Sequence, residues 1–170
     1  MTELTRINPA AIFCRSLAQL SAMLDKTGTA PQLLAARLHP DMLPFAQQVR
    51  AAVSFSLRGC CPLVGLAVAD FSAAASLQEQ IAQTVRYLKA IPVERFDGPP
   101  GRLCHDRAGF ADIVLPADEY LNLYILPNFY FHFGMAYAIA RSSGAAIGKG
   151  DFDGYHAYAP GFSFETPAAL

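Results

Sequence analysis

A chain of 170 residues suits one domain with a sizeable core. Apolar residues make up 53% and charged residues 16%, which excludes disorder and leaves a thinly charged surface, so a homodimer interface is expected to take up part of the surplus apolar area. With a net charge of −1 and no basic run, nucleic acid is not an expected partner; no apolar run approaches the roughly 20 residues that span a bilayer, so neither is a membrane.

Residues 1–9 carry no apolar segment after their charges, unlike a secretory leader, and a cytoplasmic location is expected. Asn8-Pro9 then opens a first helix, Asn8 as N-cap and Pro9 at the first helical position. Ile12, Phe13, Leu17, Leu20 and Leu24 form its apolar stripe, and Gly28 suits a left-handed end. A short helical turn is expected around Gln32 to Arg37. A second helix is expected to start near Pro40-Asp41, to tolerate Pro44 in its first turn, and to reach about Arg58. Met42, Phe45, Val49, Ala52 and Val53 mark its buried face. Leu63 to Phe71 reads as a packed connection. A third helix is expected from Ala73 to Ala90, striped by Leu77, Ile81, Val85 and Leu88 and stopped by Ile91-Pro92.

Residues 93–117 are rich in Gly and Pro, and Arg102–His105 can pair with Asp112–Leu115 as a small β-hairpin. The last long helix begins between Pro116 and Pro127 and ends near Ser143-Gly144; from Ala145 onward loop and tail are expected. Its aromatic run Phe129, Tyr130, Phe131, Phe133 predicts burial on more than one face. Four such stripes with a long crossover between the third and fourth fit an all-α, up-down four-helix bundle, a single domain over residues 1–170.

The cysteines Cys14, Cys60, Cys61 and Cys104 form no CxxC pair and no zinc-spaced cluster. They are expected to be reduced thiols that act as small hydrophobes. Gly144 to Gly150 departs from a phosphate-binding loop: three residues separate its glycines, Gly150 stands where a hydroxyl is needed, and a helix precedes it. Lys149 and Asp151 are expected to anchor this turn by an ion pair.

Three blocks carry a family resemblance. Ala36-Arg37-Leu38-His39-Pro40-Asp41-Met42 with Gln48-Val49 resembles "aRLxPDM…QV"; Leu126-Pro127-Asn128-Phe129-Tyr130-Phe131-His132 with Ala136-Tyr137-Ala138 resembles "lPNFYFH…AYA"; Ile147-Gly148-Lys149 with Asp151 resembles "iGKxD". These are motifs of a bacterial domain-of-unknown-function family in the DinB/YfiT-like metalloenzyme superfamily. The resemblance implies a DinB-like four-helix bundle, often dimeric, and no established activity. Relatives carry an acidic residue and a lysine after the Gln-Val pair, where this chain reads Val53-Ser54-Phe55-Ser56-Leu57.

Better-known DinB-like members share a three-histidine site for zinc or nickel, one ligand from the second helix and two, four residues apart, from the last. Residues at i and i+4 share a helix face, which is why that spacing works. Here His132 fits one place, but its neighbours at that spacing are Asn128 and Ala136. His39 does not match a ligand position. The triad is therefore degraded, with His132 the one plausible ligand for a divalent metal. A polar set remains: Asp41 and Gln48 on the second helix, Asn128 and His132 on the last, with Tyr137 and Arg141 further along. If the two helices face each other, these line one polar pocket. His132 would then serve a small-molecule site as general base or metal anchor, or else fix helix register by a hydrogen bond to Asp41, Gln48 or a backbone carbonyl. Two functions follow: a small-molecule-binding or stress-related bundle that has lost its metal, or a metal-dependent hydrolase or thiol transferase.

Overall fold

Asn8 caps the first helix as expected: its Oδ1 accepts from the Ala10 amide at 2.9 Å, and Pro9 follows at the first helical position. In the computed structural model, which describes residues 8–99, 101–159 and 162–164, this helix is α1 (Pro9–Thr27). Gly28 ends it at φ +69°. Phe13, Leu17, Leu20, Met23 and Leu24 on its inner face are fully buried. At about 1.5–3 kcal/mol each, this face is the helix's main attachment to the molecule.

The fold is mostly helical, with one two-stranded antiparallel sheet. After α2 (Pro31–Ala35) come α3 (Phe45–Cys60), α4 (Leu77–Lys89), β1 (Leu103–Ala108), β2 (Ala111–Pro116), α5 (Ala117–Glu119), α6 (Leu126–Ser142) and α7 (Lys149–Asp153). The α3 helix packs along α6, and α1 packs on α3, α4 and α7. Gln48 meets His132 while Arg58 meets Tyr124, so α3 and α6 run antiparallel. Among the described residues no helix is long and apolar enough to cross a membrane.

Several expected boundaries shift. The second long helix starts at Phe45, not at Pro40-Asp41. Residues 39–42 form a turn instead, in which the Asp41 amide donates to His39 Nδ1 at 3.2 Å and Met42 N to His39 O at 3.0 Å. Pro44 disfavours helical backbone at Leu43, so the helix begins behind it, and Met42 is only half-buried. The third long helix starts at Leu77, not Ala73, because Ser76 caps it by accepting from Glu79 N at 3.1 Å. The tail contains α7, where Asp151 Oδ2 accepts from Gly148 N at 2.8 Å. Asp151 pairs with Lys26 of α1 at 2.5 Å instead of Lys149, tying α7 to α1.

The hairpin forms with the pairs Leu103 opposite Pro116 through Ala108 opposite Ala111. Its loop is Gly109-Phe110; Gly109 sits at φ +61° and Phe110 does not, which is a type II′ turn. Near the C-terminal end of α3, that helix comes so close to α1 and to Ile125 that a Cβ on Gly59 would lie 2.6 Å from Ile125 Cγ2 and 2.8 Å from the Phe13 ring.

The last long helix is interrupted. Between α5 and α6 the residues Tyr120–Ile125 form a π-turn. Pro127 lacks the N–H that an α-helix needs at that position, and the wider turn accommodates its ring. Burial is confined to one face: Phe129 and Phe133 are inside, whereas Tyr130 and Phe131 are 40% and 53% exposed. The aromatic run thus does not bury the helix on all sides.

Candidate functional site

The seam between α3 and α6 holds the polar groups. Gln48, 2% exposed, projects from the first turn of α3. Its Nε2 donates to the Leu43 carbonyl at 3.2 Å, so its Oε1 faces the other way, toward His132 Nδ1 at 2.7 Å. The oxygen accepts, which places the imidazole hydrogen on Nδ1 and leaves Nε2 as an unprotonated acceptor. Burial, and secondarily the Arg58 guanidinium, lower the His132 pKa from its ordinary value, so the ring is neutral at pH 7. The ring stacks on Phe55 at 5.5 Å and meets Phe131 edge-on at 5.2 Å. Among the described residues the one sealed side-chain N or O atom without a partner is Thr84 Oγ1, so His132 Nε2 reaches solvent.

The rest of the expected polar set is distributed. Asn128 lies one turn before His132, but its Nδ2 donates to Tyr124 O at 2.7 Å, adding a donor at the π-turn. Asp41 is exposed in the turn before α3 and contributes nothing to the seam. Tyr137 packs against Phe152 of α7, 5.8 Å between ring centroids. Arg141 Nη1 donates to Ile147 O at 2.7 Å and fastens the chain after α6. A cleft of about 730 Å³ opens elsewhere, between the start of α1, residues 93–99, Gly101, Arg102 and α5, and does not include His132.

One cluster lay outside the sequence reading. Arg58 Nε donates to both oxygens of Asp106, at 3.2 and 2.9 Å, and Nη2 donates to Arg107 O at 3.1 Å and to the Tyr124 hydroxyl at 2.6 Å. The Tyr120 hydroxyl reaches Asp106 Oδ2 at 2.9 Å and Arg58 O at 3.0 Å. The Arg58 Cζ lies 4.2 Å from the Phe55 ring centre. The ion pair is mostly covered, its side chains 20% and 14% exposed. Burial and the Asp106 contact raise the Tyr120 pKa far above its usual value, and burial raises that of Tyr124, so both stay phenols. This cluster pins the hairpin to the end of α3. Its hydrogen-bonded side chains are separated by 14 to 66 positions in the chain, so no local spacing announces those bonds.

The donors at the seam do not fit a three-imidazole metal site. His132 is one imidazole, Gln48 offers an amide oxygen already bonded to it, and Ala136 at i+4 is a buried methyl. Among the described residues no group of three His, Cys, Asp or Glu side chains is arranged to hold a metal.

The helical arrangement is similar to that of a DinB family member protein from Shewanella denitrificans, known from a crystal structure: TM-score 0.76 and 26% identity, covering 88% of this chain and 92% of that one. The class is therefore a DinB-like helical protein. A family model described as "Domain of unknown function (DUF1993)" matches residues 9–153, and the chain belongs to that family. No curated protein matches it.

Proposed function

We propose that this chain is a metal-independent, DinB-like four-helix bundle that binds a small molecule at His132. The bundle would consist of α1, α3, α4 and the α5–α6 unit in up-down order, one domain over residues 1–170, with the hairpin in the long crossover. The observation that carries the function is the 2.7 Å contact from Gln48 to His132 Nδ1, which orients a neutral imidazole and leaves Nε2 as an acceptor for a ligand's N–H or O–H. Evolutionary retention of a metal is not required for this chemistry, and the polar groups Asn128, Asp41, Tyr137 and Arg141 act in turns and packing on this reading. The protein would be a cytoplasmic homodimer; exposed Leu123 and Tyr130 supply apolar surface for a second copy.

The test is metal analysis of tag-free protein together with NMR of the His132 ring nitrogens while neutral benzamide is added. The expected result is substoichiometric zinc and nickel and a saturable shift at His132 Nε2 that is lost in His132→Ala. One tightly held equivalent of metal that disappears in His132→Ala would overturn the reading in favour of a metal-dependent hydrolase or thiol transferase. Light scattering at micromolar concentration should give the mass of a dimer; a monomer across that range would refute the assembly.

A further inference from the structure

Beside the Phe55 ring that stacks on His132 lies a group of hydrogen-bond donors with no acceptor among the described residues. Arg58 directs Nε at Asp106 and Nη2 at Arg107 O and the Tyr124 hydroxyl. Its Nη1 carries two more N–H groups, and among the described residues none of its hydrogen bonds involves them. The Tyr124 oxygen accepts from Arg58, so its own hydrogen is free to donate outward. The Arg58 side chain is 20% exposed and Tyr124 is half-buried, so both residues lie at the edge of the covered interior.

We propose that Arg58 Nη1 and the Tyr124 hydroxyl bind an oxyanion, a carboxylate or phosphate group, on the small molecule whose donor group meets His132 Nε2. The inference rests on the reading of His132 as a ligand site and adds the chemistry of its ligand. These donors select a group that accepts, and separate oxygens of an oxyanion can take an Nη1 N–H and the Tyr124 O–H. The guanidinium is held in place on three sides, by Asp106, by Tyr124 and by the Phe55 ring at 4.2 Å, so little side-chain freedom is lost on binding. Asp106 offsets much of the Arg58 charge, so recognition works through donor geometry and the affinity is modest. The Phe55 ring lies against both Arg58 and His132, so the oxyanion end and the donor-accepting end flank a single aromatic ring. Exposed Phe131 beside His132 gives the ligand's body an apolar wall. The ligand class is a small organic anion with a hydrogen-bond donor and an apolar core.

Full-length protein titrated separately with benzoate, inorganic phosphate and neutral benzamide, read by NMR at Arg58 Nε–H and the His132 ring, tests this. Benzoate or phosphate should shift the Arg58 signal saturably and benzamide should not; a response to both anions points to the oxyanion alone, and to benzoate only, to a carboxylate on an apolar body. Tyr124→Phe keeps the ring packing and should weaken anion binding about tenfold. An Arg58 signal indifferent to both anions, or moved equally by benzamide, overturns the proposal, as does an unchanged affinity in Tyr124→Phe. In that event a His132 shift with benzamide leaves the small-molecule reading standing, whereas silence at both residues removes both.

Discussion

Replacing His132 by Ala measures how much of the α3–α6 seam rests on one ring. The substitution leaves Gln48 Oε1, on a side chain 2% exposed, without its donor, which costs roughly 1–3 kcal/mol. It also removes the stack on Phe55 and the edge contact with Phe131, worth about 0.5–1.5 kcal/mol each beyond area. Because the ring is half-buried, part of this space refills with water, and the sum comes to roughly 2–4 kcal/mol, or a melting point lower by roughly 5–15 °C for a chain of this size. The pH dependence has a definite sign. The folded state lowers the His132 pKa, so the unfolded chain binds the proton more readily, and stability falls as pH drops below the unfolded value of about 6.5. The slope from this residue is at most about 1.4 kcal/mol per pH unit. Thermal melts of wild type and His132→Ala at pH 8 and 5.5 should therefore show a large gap at pH 8 that narrows at pH 5.5. A gap that is absent at both values, or that widens in acid, would refute the account of a neutral ring held by Gln48.

Asp106→Asn keeps the shape but removes the charge opposite a mostly covered guanidinium; a loss of roughly 2–4 kcal/mol is expected in urea unfolding, and a loss below about 0.5 kcal/mol would mean that the hairpin is not pinned by this pair. Gly59→Ala places a methyl within 3 Å of Ile125 and Phe13 and should destabilise by about 1–3 kcal/mol, whereas a neutral or stabilising effect in the same assay would show that the helices can separate freely. The four thiols are all buried, and burial raises the pKa values of Cys14, Cys60 and Cys104, so a thiol reagent should react slowly with native protein and with all four after denaturation; fewer than four would reveal a disulfide.

The parts of this fold that could be read from the chain are those with local causes. Asn8-Pro9 and Gly28 bracket α1 because caps act within a turn of the residues that supply them, and the hairpin is two short strands that turn on Gly109. The start of α3 is not legible locally because Pro40-Asp41 is as good a helix opening as Pro44; the chain instead forms the His39–Asp41 turn, in which a ring nitrogen accepts a backbone hydrogen. Of the candidate site, the meeting of Gln48 with His132 was among the readings, since both lie on apolar helix faces that must be buried together. Arg58, Asp106, Tyr120 and Tyr124 were not, since each looks alone like an ordinary surface charge or packing aromatic, and their partnership exists only once the crossover folds back on the end of α3. Tyr137 and Arg141 share the helix of His132, but rotation along that helix carries them to α7 and to the chain after it.

The π-turn at Tyr120–Ile125 also sets a phase. A wider turn accommodates one residue more than α-helical spacing would, and each residue advances a helix by about 100°. The helix is therefore out of step across this stretch: Tyr120 and Tyr124 within the turn look to Arg58 and the hairpin, and His132 after it looks to Gln48. A one-residue deletion within this stretch would restore regular winding, rotate the two tyrosines away from Arg58 and leave the His132–Gln48 contact untouched. Length variation at this point is thus a means by which a lineage could rebuild one half of the seam without disturbing the other.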